Sequence, residues 1–104
     1  MCCKNTELSG SISFGRGCII HPGCSIISEK GEIVFGEGNI VEERVRIVNK
    51  KDKPMYIGSY NNFEVGTVVE SSTVGDCNVF QFRSRVREGC VIGNGCNLTP
   101  CSVL

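Results

Sequence analysis

The chain is poor in the residues that build catalytic and metal centres. It has a single histidine, His21, and its eight cysteines contain no CxxC pair. One imidazole and no thiolate cluster leave a zinc site or a thioredoxin-like redox centre unexpected. The chain also lacks any run of roughly eighteen apolar residues, the length that a membrane-spanning helix needs. No charged segment followed by an apolar one opens the sequence, so the expectation is an intracellular protein. Its thiols are then expected to be reduced, since disulfide frameworks belong to oxidising compartments. Charge of neither sign is in excess. Eleven Lys and Arg balance eleven Asp and Glu, which removes the electrostatic motive for binding nucleic acid or an anionic membrane. Prolines number three beside 13 glycines, and β-branched apolar residues occur throughout, which excludes a disordered low-complexity chain. At 104 residues the expectation is one domain over 1–104, with residues 1–7 poorly ordered and a loop at 49–54.

What is there is a period of six. An apolar residue heads each of fifteen hexads: Leu8, Phe14, Ile20, Ile26, Phe35, Val41, Ile47, Ile57, Phe63, Val69, Val74, Phe80, Val86, Ile92 and Leu98. The register slips after Ile26, after Ile47 and at Val69. Every third hexad pairs its apolar head with glycine, at Gly15, Gly36, Gly58, Gly75 and Gly93. A period of three hexads is what a triangular prism requires, because the chain returns to the same face once per coil. Fifteen hexads make about five coils of an all-β parallel helix with little or no α-helix.

The fifth positions agree. They read Cys18, Asn39, Asn61, Asn78 and Cys96 on the glycine face, then Cys24, Val45, Thr67, Ser84 and Ser102 on the next. Only compact side chains fit beside a large first-position residue inside a narrow prism, so these cysteines read as core residues. Stacked asparagines can hydrogen-bond along the axis. The segments FGRGCI (14–19) and FGEGNI (35–40) are then equivalent faces of adjacent coils. A phosphate-binding loop would need lysine and Ser/Thr after its last glycine, and a helix to follow.

Segments IIHPGCSII (19–27), GEIVFGEGNIVEE (31–43), KPMYIGSYNNFEVG (53–66), VGDCNVFQFRSRV (74–86) and GCVIGNGCNL (89–98) resemble the dynactin subunit 6 family, the p27 subunits of the dynactin pointed-end complex. Hexapeptide repeats are shared with acyltransferases and γ-class carbonic anhydrases, whereas KPM-x-IG-x-x-N-x-FEVG is far more specific. The resemblance implies a left-handed parallel β-helix and a non-enzymatic subunit without cofactor or metal. It implies hetero-oligomeric assembly with a sibling hexapeptide-repeat subunit and other pointed-end proteins, including an actin-related protein. The implied setting is dynein-driven transport, in the cytoplasm and microtubule cytoskeleton, with the kinetochore as a further location. The alternative is a hexapeptide acyltransferase or a carbonic-anhydrase relative.

His21 reads as a surface histidine at a turn, although Glu42 can stack one coil above it as a partner for a general base. Arg83, Arg85 and Arg87 alternate with Ser84 and Val86 and are expected to point outward as a candidate partner-binding surface. Ile27 and Val48 are apolar at outward positions of neighbouring coils, and are expected to form an exposed apolar pair that meets another element or chain. The terminal CSVL (101–104) fits a prenylation box, but also continues the repeat. The segment NLTPCSVL offers no polar cap, so the last coil is expected to be unstable or sticky unless something covers it, the alternatives being a shortened form or a neighbour stacked on it.

Overall fold

Each hexad folds as a two- to four-residue strand and a turn. The computed structural model describes residues 7–70 and 73–98. Expectations for residues 1–6, for Ser102 and for the CSVL terminus fall outside the described residues. One sheet stacks Glu7–Ser9, Ser25–Ser28, Arg46–Asn49, Val68–Glu70 and Arg85–Val86. The second stacks Ile12–Ser13, Ile33–Phe35, Met55–Ile57, Thr73–Val74 and Val91–Ile92. The third stacks Ile19–Ile20, Ile40–Val41, Asn62–Phe63, Val79–Phe80 and Asn97–Leu98. All pairings are parallel, each strand bonding to the one three places on. This is the parallel β-helix expected of the hexads, left-handed as the family resemblance implies, with no helix among the described residues.

The hexad heads form three stacked columns inside the prism. Ile26, Ile47, Val69 and Val86 are buried in one, Phe35, Ile57, Val74 and Ile92 in the second, and Ile20, Val41, Phe63, Phe80 and Leu98 in the third. Phe63 stacks on Phe80 with ring centroids 4.7 Å apart, and Phe14 on Phe35 at 4.8 Å. Those separations equal the spacing of neighbouring strands, so aromatic heads stack without distorting the rungs. Leu8 and Phe14, on the first described rung, are less covered. Ile33 and Met55 join the core although no hexad predicts them. They enter through the two register slips, where inserted residues carry the chain to the start of the next strand.

A column of buried asparagines closes the corner beside the glycines. Asn39, Asn61 and Asn78 are buried, and each carboxamide bonds to the coil above it. Asn39 Nδ2 donates to Gly58 O at 2.8 Å, Asn61 Nδ2 to Gly75 O at 2.8 Å and Asn78 Nδ2 to Gly93 O at 2.8 Å. In return Asn39 Oδ1 accepts the Asn61 backbone N–H, Asn61 Oδ1 that of Asn78, and Asn78 Oδ1 that of Cys96. The ladder is mostly side chain to backbone. Its one amide-to-amide link runs from Asn61 Nδ2 to Asn39 Oδ1 at 3.1 Å. Asn49 does the equivalent task at the inserted loop, donating to Gly31 O, Glu32 O and Lys53 O.

The glycine column exists because coils touch there. A Cβ on Gly58 would stand 2.5 Å from Gly75 O, a collision with backbone, whereas one on Gly93 meets nothing within 4 Å. Gly58→Ala is therefore expected to cost roughly 1–3 kcal/mol in urea unfolding, as overpacking does, and Gly93→Ala almost nothing. Adjacent asparagines give an opposed pair. Asn61→Val strands buried partners and is expected to cost roughly 3 kcal/mol. Asn62, on the outer face between Ile40 and Val79, has an enclosed Oδ1 without a hydrogen-bond partner. Asn62→Val is expected to leave the urea midpoint unchanged or raise it.

Candidate functional site

The prism interior is filled by side chains, so binding chemistry must lie on its outer columns. Strand register assigns each outward residue to one. His21 follows Ile20 and Glu42 follows Val41, and those two strands pair in register. His21 N–H donates to Val41 O at 2.8 Å, and Glu42 N–H to Phe63 O at 3.0 Å, so the two residues occupy neighbouring rungs as expected. Glu64 and Gln81 continue the column. No group of three His, Cys, Asp or Glu among the described residues could hold a metal ion. A groove of about 220 Å³ lies elsewhere, at the inserted loop, lined by Lys51, Lys53, Pro54, Thr73, Cys90 and Val91 among others, with no histidine or carboxylate in its lining.

The arginines are arranged more tellingly. Arg83, Arg85 and Arg87 are all exposed. Arg85 pairs in register with Val68, and Val68 with Arg46, which places Arg46 and Arg85 in one outward column two rungs apart. The turn positions just before that sheet form a parallel column of Gly23, Arg44, Gly66 and Arg83. Gly66 N–H bonds to Glu43 O and Arg83 N–H to Val65 O, which fixes the stacking. All four residues of this column have positive φ, at 60° for Arg44 and 57° for Arg83. Arg83 lays its Cγ over Gly66 and its guanidinium over the exposed Phe82 ring, 5.2 Å from the centroid. Arg44 and Arg46 were not among the residues singled out from sequence, yet counting hexads from Val41 and from Phe80 puts Arg44 level with Arg83 and Arg46 level with Arg85.

The expected exposed apolar pair is corrected. Ile27 and Val48 do pair in register, but Val48 is fully buried and Ile27 half-buried. The reason is local. Ile47, Val48 and Asn49 are buried in succession, so alternation breaks where the strand leads into the loop that Asn49 holds.

Comparison with known proteins gave relatives named dynactin subunit 6. The chain is 36% identical to a protein of Nematostella vectensis named dynactin subunit 6, over 93% of this chain and 62% of the relative. It is 34% identical to the dynactin subunit 6 of Danio rerio, over 98% of this chain and 62% of that one. For the Dictyostelium discoideum protein of that name the identity is 39%, over 90% and 54%. The chain thus spans about half to three fifths of the length of the curated relatives it matches. No family model matches.

The described thiols differ in exposure, with Cys90 half-buried between two extremes. Cys18 and Cys24 are buried, with Cys18 Sγ 3.2 Å from Gly36 O and Cys24 Sγ 2.9 Å from both His21 O and Glu42 O. Cys77 and Cys96 are exposed. Brief alkylation of the folded protein with iodoacetamide is expected to label Cys77 and Cys96 and to spare Cys18 and Cys24 until urea is added, as read by peptide mass spectrometry.

Proposed function

The chain is a relative of dynactin subunit 6 over nearly its whole length, and from that premise we propose that it is a non-catalytic, protein-binding subunit of dynactin's pointed-end complex. The likeness along 88–98% of the chain carries this reading. In it the β-helix is a rigid rod whose outer columns meet a sibling hexapeptide-repeat subunit and other pointed-end proteins, including an actin-related protein. Its place is the cytoplasm and the microtubule cytoskeleton, supporting dynein-driven transport and adaptor attachment, with the kinetochore as a further site. The surface we assign to partner contact is the exposed side that carries Arg83, Arg85 and Arg87 and continues toward Ile27.

Physical reasons favour binding over catalysis. Among the described residues the prism interior is packed with side chains, and His21 with Glu42 has no third His, Cys, Asp or Glu close enough to make a metal set. A scaffold of stacked rungs does present fixed rows of side chains at the strand spacing, which suits recognition of another regular surface. The test is the mass of the purified chain, alone and mixed with the sibling hexapeptide-repeat subunit, by light scattering with metal analysis of the same sample. A one-to-one complex without bound metal is expected. A zinc-bearing homotrimer that ignores the sibling would overturn the proposal and return the chain to enzymology.

A further inference from the structure

We infer that Arg44, Arg46, Arg83 and Arg85 form a single docking face for an acidic protein segment. The four are exposed, and none of them makes an ion pair with another described residue. They stand in two columns. Arg44 and Arg46 are separated along the chain by one buried residue, Val45, and Arg83 and Arg85 by one buried residue, Ser84. The upper pair lies two rungs above the lower, about 10 Å away at the usual strand spacing. Within a pair the two Cα atoms are at most about 7 Å apart. The rung between contributes Gly66 and the half-buried Val68, so small residues floor the space that the guanidiniums surround.

The backbone adds an independent argument. The turn column demands a left-handed conformation on every rung, and glycine fills it on two of the four. Glycine adopts that conformation without cost, whereas a residue with a Cβ sacrifices about 1 kcal/mol or more. Arginine at Arg44 and Arg83 is thus the less stable choice for the fold at both places. Among the described residues neither side chain forms an ion pair, and Arg83 touches only Gly66 and the exposed Phe82 ring, so a strained position held by a charged side chain here fits a functional surface.

The chemistry of the occupant follows from the spacing. Alternate residues of an extended strand point the same way about 7 Å apart, so a chain of alternating acidic residues laid along the rungs offers carboxylates at the interval of each arginine pair. Forked guanidiniums bind carboxylates through two parallel hydrogen bonds, which makes such pairs orientation-specific. A nucleic-acid track would need a longer positive groove, and the chain has no net charge to steer one. The inference rests on the reading of the chain as a binding module and not on which assembly holds it.

The test is fluorescence anisotropy with the full chain and a short labelled peptide of alternating Glu and Ser. A matched Gln and Ser peptide and a single-stranded DNA of equal length serve as competitors. Arg44→Gly with Arg83→Gly is expected to weaken Glu-peptide binding about tenfold or more, while the urea midpoint holds or rises. Arg16→Gly, outside the face, is expected to leave binding unchanged. Arg46→Glu with Arg85→Glu is expected to exchange preference for a Lys and Ser peptide. Equal binding of the Gln peptide, tighter binding of the DNA, or wild-type affinity in the double glycine variant would each overturn the inference. Failure to enter dynactin with intact peptide binding would instead count against the proposed function alone.

Discussion

Buried carboxamides on three successive rungs, Asn39, Asn61 and Asn78, hold this molecule in register. Strands of two residues make too few ladder bonds to fix their own alignment, and parallel pairing by itself tolerates slippage. The asparagine at the glycine corner removes that freedom, because its Nδ2 and Oδ1 each reach a backbone group of the coil above. A slip of one residue would leave those buried polar atoms without partners, at a cost of about 1–3 kcal/mol each. The neighbouring glycines are a corollary, since the coils approach so closely at Gly15, Gly36, Gly58 and Gly75 that no Cβ fits. Where the repeat is interrupted, Asn49 repeats the device and turns the inserted loop into a fixed corner.

Register inside dictates pattern outside. Once the coils cannot slide, outward residues from distant parts of the sequence line up, and Arg46 meets the column of Arg85 although 39 positions separate them in the chain. Four arginines form a face in this way, on a chain with no net charge. On the binding role proposed above, recognition is carried by the spacing and sign of these surface rows.

Much of this was legible in the sequence for a physical reason. Hexad heads, glycine pairs and compact fifth positions are all local consequences of a narrow, regular prism, so each rung repeats them. Residues at the slips were not legible. Ile33 and Met55 enter the core, and Val48 is covered, because inserted residues alter the phase of alternation, which no periodic count anticipates. The arginine face was half legible. Arg83 and Arg85 stand out as neighbours in sequence, but Arg44 and Arg46 join them only when the coils are stacked. The left-handed turns at Arg44 and Arg83 carry no sequence signal beyond the glycines two coils of that column use in their place.

The claim on which the rest depends is that the asparagine column sets the register, and native-state hydrogen exchange tests it most directly. The backbone amides of Asn61 and Asn78, which donate to the carboxamides of Asn39 and Asn61, are predicted to exchange only through global unfolding, with the free energy measured in urea. Exchange of those two amides as fast as the loop amides of Asp52 and Lys53 would contradict the account.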